Sequence, residues 1–327
     1  YRSSWDVGGT DELRYTGSRD TTIDLRAATL EYEAGGGGFI SAATGIAGGF
    51  TIANGVVIEN ATSGSGDDTL NGNDAVNLLD PGTGDDSVDA GGGSDTVIGG
   101  AGADTLHGGT GEDLLDHSAS TGAVTLDLLA NTASGGHAAG DEISGFEHVI
   151  GTDYGDTISG TGEGNDLSGG GGADSLTGLD GDDSLTGGFA ADTLVAGDGE
   201  DTLEGGYGDD SLNGDDGDDT VNGGLGNDSI HGELGDDFLD GEAGNDTIRG
   251  QDGQDTIRGR DGDDLLFGND NKDVIKGDAG NDTINGGAGS ATREGESGND
   301  VLDGGAGNDT LRAGTGNDQV FGGFGAA

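Results

Sequence analysis

One aliphatic residue recurs every nine positions along most of the chain, and an Asp stands two residues before it. From Gly151 to Phe321 the sequence divides without insertion into 19 nonapeptides, typified by Gly-Gly-Leu-Gly-Asn-Asp-Ser-Ile-His at 223–231, and six more run from Ser63 to Asp116. Position eight is Leu, Ile or Val in 24 of these 25 units, Arg293 being the exception. Positions seven to nine read as a short strand whose middle residue points inward while its neighbours point out. Positions one to four are Gly-rich, which suits tight turns with positive φ. Turn, strand, turn, strand closes one coil of 18 residues. Stacked coils place alternate strands in two parallel sheets over a thin aliphatic core. The predicted architecture is all-β, a parallel β-roll or solenoid.

The polar column is as regular as the apolar one. Position six is Asp in 22 of the 25 units, the exceptions being Asn77, Asn165 and Ala291. In the short block these are Asp68, Asp86, Asp95, Asp104 and Asp113. In the long block they are Asp156, Asp174, Asp183, Asp192, Asp201, Asp210, Asp219, Asp228, Asp237, Asp246, Asp255, Asp264, Asp273, Asp282, Asp300, Asp309 and Asp318. Loops on one side recur every 18 residues, so Asp210 and Asp228 stack, and so on along the roll.

Composition sharpens the problem this poses. The chain of 327 residues has 77 Gly, 65 acidic and 11 basic residues, a net charge of −54, and only 30% hydrophobic residues. One buried aliphatic side chain per nonapeptide is too little to offset the entropy of ordering nine residues, and stacked carboxylates repel. A ligand that cancels the charge must contribute to folding. Carboxylates and carbonyls are hard oxygen donors in a flexible setting, which suits Ca²⁺ better than Mg²⁺. Same-side neighbours that both carry Asp give 14 candidate sites in the long block and 3 in the short one, about 17 ions. Nucleic acid and anionic membranes are excluded as partners by charge. No apolar run reaches the ~18 residues of a membrane span. With no Cys there is neither a disulfide framework nor a thiolate site. There is no Met and no signal peptide, so the chain reads as a piece of something longer.

These nonapeptides resemble the RTX family, written G-G-x-G-x-D-x-U-x. The resemblance implies a right-handed roll in which carbonyls at positions two and four join the position-six Asp. Gly224, Gly226 and Asp228 then form one half-site, and Gly64, Gly66 with Asp68 and Gly82, Gly84 with Asp86 form others. It also implies type I secretion from a Gram-negative bacterium, with folding in the calcium-rich exterior. Residues 1–62 are similar to the start of the C-terminal domain of serralysin-type metalloproteases, on Trp5-Asp6-Val7-Gly8-Gly9-Thr10-Asp11, Thr22-Ile23-Asp24-Leu25 and Ile52 to Ala61. That likeness implies a separate calcium held by Asp6, Gly8, Asp11 and Glu59.

The expected organisation is an N-terminal β cap (1–62), a first roll (63–116), a β connector (117–150), a second roll (151–321) and a tail (322–327). Val124–Leu129 and Glu142–Ile150 read as strands of the connector. The Gly286–Glu294 unit, lacking both the Asp and the aliphatic residue, is expected to bulge and to lose the two ions Ala291 would share. His107 and His231 fall at exposed position nine, and no His-Glu-x-x-His occurs, so no zinc site or catalytic set is seen in this segment. Position three points outward, so Phe189, Tyr207 and Leu225 form an apolar ladder suited to docking another domain. The function expected is a secreted, non-enzymatic calcium-binding module that folds outside the cell and stabilises, or supports export of, a covalently linked upstream domain such as a metalloprotease. A surface-layer or adhesin-type array is the alternative.

Overall fold

The structure, a computed structural model, describes residues 10–26, 42–43 and 57–323. It divides into two units, Tyr1–Asp153 and Tyr154–Ala327.

In the second unit, successive strands alternate between two parallel sheets. Strands Ser184–Phe189, Thr202–Tyr207, Thr220–Leu225 and Phe238–Ala243 are neighbours in one sheet. Ser175–Asp180, Thr193–Asp198, Ser211–Asp216 and Ser229–Leu234 are neighbours in the other. Register is 18 residues throughout, with Leu203 opposite Val221 and Ile230 opposite Ile248. This is a parallel β-solenoid, as the nine-residue period predicts. Its core is the position-eight column, in which Leu212, Val221, Ile230, Leu239 and Ile248 are fully buried.

The strands are longer than expected. Between Asp166 and Ala279 they run six residues, from position seven through position three of the next unit. Position one continues the strand and is buried, and the chain kinks at position two, where φ is positive (111° at Gly188, 102° at Gly224). Side chains such as Glu233 and Arg260 are carried there at φ 76° and 78°. The kink directs position three outward. Phe189, Tyr207 and Leu225 are 63%, 55% and 50% exposed, in register on adjacent strands. The Phe189 and Tyr207 rings stack with centroids 5.1 Å apart.

Two further expectations fail in this unit. The repeat containing Ala291 does not bulge: Thr292–Glu294 pairs in register with Val274–Lys276 on one side and Thr310–Arg312 on the other. Arg293 takes the aliphatic position and is fully buried. His231 is half-buried beside Arg249, whose Nη1 lies 3.3 Å from its Nε2.

The first unit is built the same way. One sheet holds Glu12–Arg14, Asn60–Thr62, Leu78–Asp80, Thr96–Ile98, Leu114–Asp116 and His148–Thr152 in order. The other holds Thr21–Asp24, Thr69–Asn73, Ser87–Gly91, Thr105–His107 and Glu142–Ser144. The stretch Glu142–Ile150 is thus two strands, one in each sheet, separated by a bend. An antiparallel pair, Thr125–Asp127 with Thr132–Ser134, adds to the second sheet through Thr132 and Glu142.

Because the core is one side chain deep, truncation within it cannot be repacked from a second layer. Leu212→Ala is expected to cost about 2–5 kcal/mol, seen as a lower denaturant midpoint in calcium buffer. Ser211→Ala on the outward face should shift it by less than about 0.5 kcal/mol.

Candidate metal centre

Each repeat turns its position-six carboxylate into the roll, against the position-one glycine of the same repeat. A Cβ at Gly223 would collide with Asp228 Oδ2, and one at Gly232 with Asp237 Oδ2. At these two positions a side chain would need the carboxylate to shift, whereas the repeats of Asp95 and Asp201 carry a buried Ala (Ala90, Ala196) in the same place. One oxygen is used by the fold: Asp228 Oδ1 accepts the N–H of Asp210 at 2.8 Å, and Asp246 Oδ1 that of Asp228 at 2.8 Å. The same link steps through Asp156, Asp174, Asp192, Asp210, Asp228, Asp246, Asp264, Asp282, Asp300 and Asp318. On the other side it joins Asn165, Asp183, Asp201, Asp219, Asp237, Asp255 and Asp273. In the first unit it joins Asp68, Asp86 and Asp104, and separately Asn77, Asp95 and Asp113.

The second oxygen is left over. Oδ2 of Asp86, Asp95, Asp104, Asp113, Asp174 and every later position-six Asp up to Asp309 is buried with no hydrogen-bond partner. Buried acceptors without partners are costly, and native proteins seldom keep them in rows. Backbone carbonyls at positions two and four also stack from coil to coil. A Cβ on Gly226 (φ 143°) would meet the Gly208 carbonyl oxygen, and one on Gly224 the Gly206 oxygen. Gly82 and Gly84 sit likewise over the carbonyls of Gly64 and Gly66. Among the described residues no three carboxylate or imidazole groups converge. A cation here must therefore draw on these carbonyls as well as on the Asp column, an all-oxygen set that fits a hard ion.

Burial pushes the carboxyls of Asp86, Asp174, Asp183, Asp237, Asp246, Asp273 and Asp282 up to about 7. It pushes Asp95, Asp192, Asp219, Asp228, Asp255 and Asp264 to about 6. The accepted backbone N–H pulls each one down, and nearby carboxylates push up again. Such groups hold protons that a cation can replace.

Some predicted ligands stand apart. Asp68 ends its column, and both its oxygens are used, by the N–H groups of Thr21 and Gly64. Asn77 and Asn165 keep their places, with Oδ1 accepting the N–H of Asn73 and Thr161. Asp318 ends the last column half-buried. In the N-terminal set, Glu59 Oε2 accepts the Asp11 N–H at 2.9 Å, so these two residues meet. Asp6 and Gly8 lie outside the described residues.

Two column members escape the nine-residue register. Asp141 Oδ1 accepts the Asp104 N–H and Glu147 Oε2 the Asp113 N–H, each at 2.9 Å. They continue both columns of the first unit at spacings of 37 and 34 residues. Burial raises both, Asp141 to about 7, and Asp141 Oδ2 is buried without a partner. The signal was present: Asp141-Glu142-Ile143 and Glu147-His148-Val149 repeat the acid-x-aliphatic triplet of positions six to eight.

A family model described as the RTX calcium-binding nonapeptide repeat, in four copies, matches residues 58–88 and 80–115, overlapping stretches from 150 to 292, and 294–326. Over 78 residues the chain is 42% identical to serralysin of Photorhabdus laumondii subsp. laumondii and to serralysin of Photorhabdus luminescens. It is 37% identical over 78 residues to metallopeptidase AprA of Pseudomonas marginalis. Each alignment covers 24% of this chain and 14% of the relative.

The raised carboxyls fix the pH response of the metal-free roll. Their ordinary value, 3.8, applies to the unfolded chain, against about 6–7 in the fold. Between these limits the folded chain holds more protons, so its stability grows as pH falls from about 7 towards 4 and is lost as pH rises through 7. In excess EGTA, acidification from pH 8 to pH 5 should increase the β signal in circular dichroism. A flat or falling signal would contradict the column geometry.

Proposed function

Because the chain belongs to the RTX calcium-binding nonapeptide-repeat family, we propose that its stacked Asp columns are the calcium sites of a module that folds outside a Gram-negative cell. The repeat roll itself is a structural calcium-binding module and not a catalytic one. The observation that carries the site assignment is the row of buried Oδ2 atoms with no partner, running from Asp86 to Asp113 in the first unit and from Asp174 to Asp309 in the second. When bound, calcium would supply the positive charge that these buried oxygens lack.

The chain's own residues do the rest. Position-six carboxylates such as Asp210 and Asp228 hold the coils in step through their N–H links while presenting the second oxygen. Positions two and four, Gly224 and Gly226 in one half-site, bring backbone carbonyls alongside. About 17 such pairs lie in the rolls, and Asp104–Asp141 and Asp113–Glu147 extend the first unit's columns. Asp11 and Glu59, with Asp6 and Gly8, form the separate N-terminal site. At low cytosolic calcium the charge of −54 keeps the chain expanded and fit for type I export; outside, ion binding drives it to close. The 78-residue likeness to serralysins supports an upstream protease domain as the linked partner that the roll stabilises.

Calcium titration followed by circular dichroism should give a cooperative gain of β signal, reversed by EGTA, with proton release near pH 7. Asp228→Ala should remove the ions shared with Asp210 and Asp246 from the stoichiometry and raise the midpoint. Full sheet content after exhaustive EGTA treatment at pH 8 would refute the proposal.

A further inference from the structure

In one repeat the internal carboxylate is replaced by an internal cation. Ala291 occupies position six, and Arg293, two residues on, occupies the buried aliphatic position. The side chain does not turn out to solvent. A Cβ on Gly286, the position-one glycine of this repeat, would collide with Arg293 Nη2. In the flanking repeats the equivalent collision is with the repeat's own Asp, at Gly277 with Asp282 Oδ2 and at Gly295 with Asp300 Oδ2. The guanidinium therefore fills the space that a position-six carboxylate fills elsewhere, with the charge inverted.

The charge is met by an ion pair and not by hydrogen bonds, since Nε, Nη1 and Nη2 of Arg293 are buried with no hydrogen-bond partner. Arg293 Nη1 lies 2.9 Å from Asp309 Oδ1, the position-six Asp of the next coil, and both side chains are sealed from solvent. Asp309 Oδ1 also accepts the Ala291 N–H at 3.2 Å, so the coil-to-coil link is kept. On the preceding coil, the Asp273 carbonyl accepts the Thr292 N–H at 2.9 Å, which stacks Asp273 on the same side of the roll. A buried guanidinium is costly to desolvate unless carboxylates flank it, and planar Arg is the side chain best fitted to such a place.

We infer that Arg293 is a tethered cation standing in for the ions of this column, so that the coils carrying Asp273, Ala291 and Asp309 stay closed without calcium and give the rest of the roll a preformed edge to build on. This rests on the calcium reading of the other coils. It predicts that Arg293→Leu, which restores the aliphatic pattern of every other repeat, loosens this region when metal is absent, whereas a merely tolerated arginine would leave it tighter on becoming leucine.

The test is amide hydrogen exchange on the full chain in EGTA, read by mass spectrometry. In the unaltered chain, peptides covering 274–279, 292–294 and 310–312 should be the most protected of the second unit. In Arg293→Leu their protection should fall at least about tenfold. Protection that is equal or greater in Arg293→Leu, or no protected segment there in the unaltered chain, would overturn the inference. Equilibrium dialysis against calcium gives the companion result. Ala291→Asp/Arg293→Leu should bind two more ions than the unaltered chain, facing Asp273 and Asp309, and an unchanged count would also overturn it. If the unaltered chain bound no calcium at all, the functional reading would fall, while the exchange comparison in EGTA would still decide the role of Arg293.

Discussion

The fold depends on what happens to one carboxylate oxygen per repeat. From Asp174 to Asp309 every position-six Asp spends Oδ1 on the backbone N–H of the neighbouring coil and leaves Oδ2 buried without a partner. The first contact sets the coil spacing, and the second creates a demand for positive charge that the sequence, with 11 basic residues against 65 acidic ones, cannot meet from within. A core one aliphatic residue deep is too thin to hold such a column closed by itself. The contact that sets the coil spacing and the oxygen left without a partner thus belong to the same carboxylate.

Glycine matters here for two separate reasons. At position one it is a matter of space: Gly223 and Gly232 have the Asp carboxylate where a Cβ would be. At position four it is a matter of backbone, since Gly226 at φ 143° lies over the Gly208 carbonyl. Position two also has positive φ, yet Glu233 and Arg260 are accommodated there, because their side chains leave the roll at its edge. Gly predominates at these positions without being obligatory, since Ala196 stands at position one and Ala190 and Asn271 stand at position four with φ 80° and 75°.

Much of this was legible in the sequence, because period and burial coincide. Leu212 and Ile230 are buried and 18-residue register holds from strand to strand, as the column pattern implies. What misled was any argument that treated a repeat as a string of nine letters. Positions one to three look like turn because they are Gly-rich, but parallel neighbours on both sides extend the strand through them. Asp141 and Glu147 were hidden by spacings of 37 and 34, although the local triplet around each is that of an ordinary repeat. Three-dimensional equivalence follows the acid-x-aliphatic unit, and the loop between units is free to vary in length.

Arg293 exposes the same logic from the other side. Read as letters, its repeat has lost both of its defining residues and should fail. Read as charges and volumes, it has exchanged a carboxylate and an aliphatic side chain for a methyl group and a guanidinium that reaches the carboxylate's place. The coil-to-coil hydrogen bond to Asp309 is preserved through the Ala291 N–H. What is held constant along the roll is the backbone register, and in this repeat a buried guanidinium paired with Asp309 occupies the space that a carboxylate fills in the neighbouring coils.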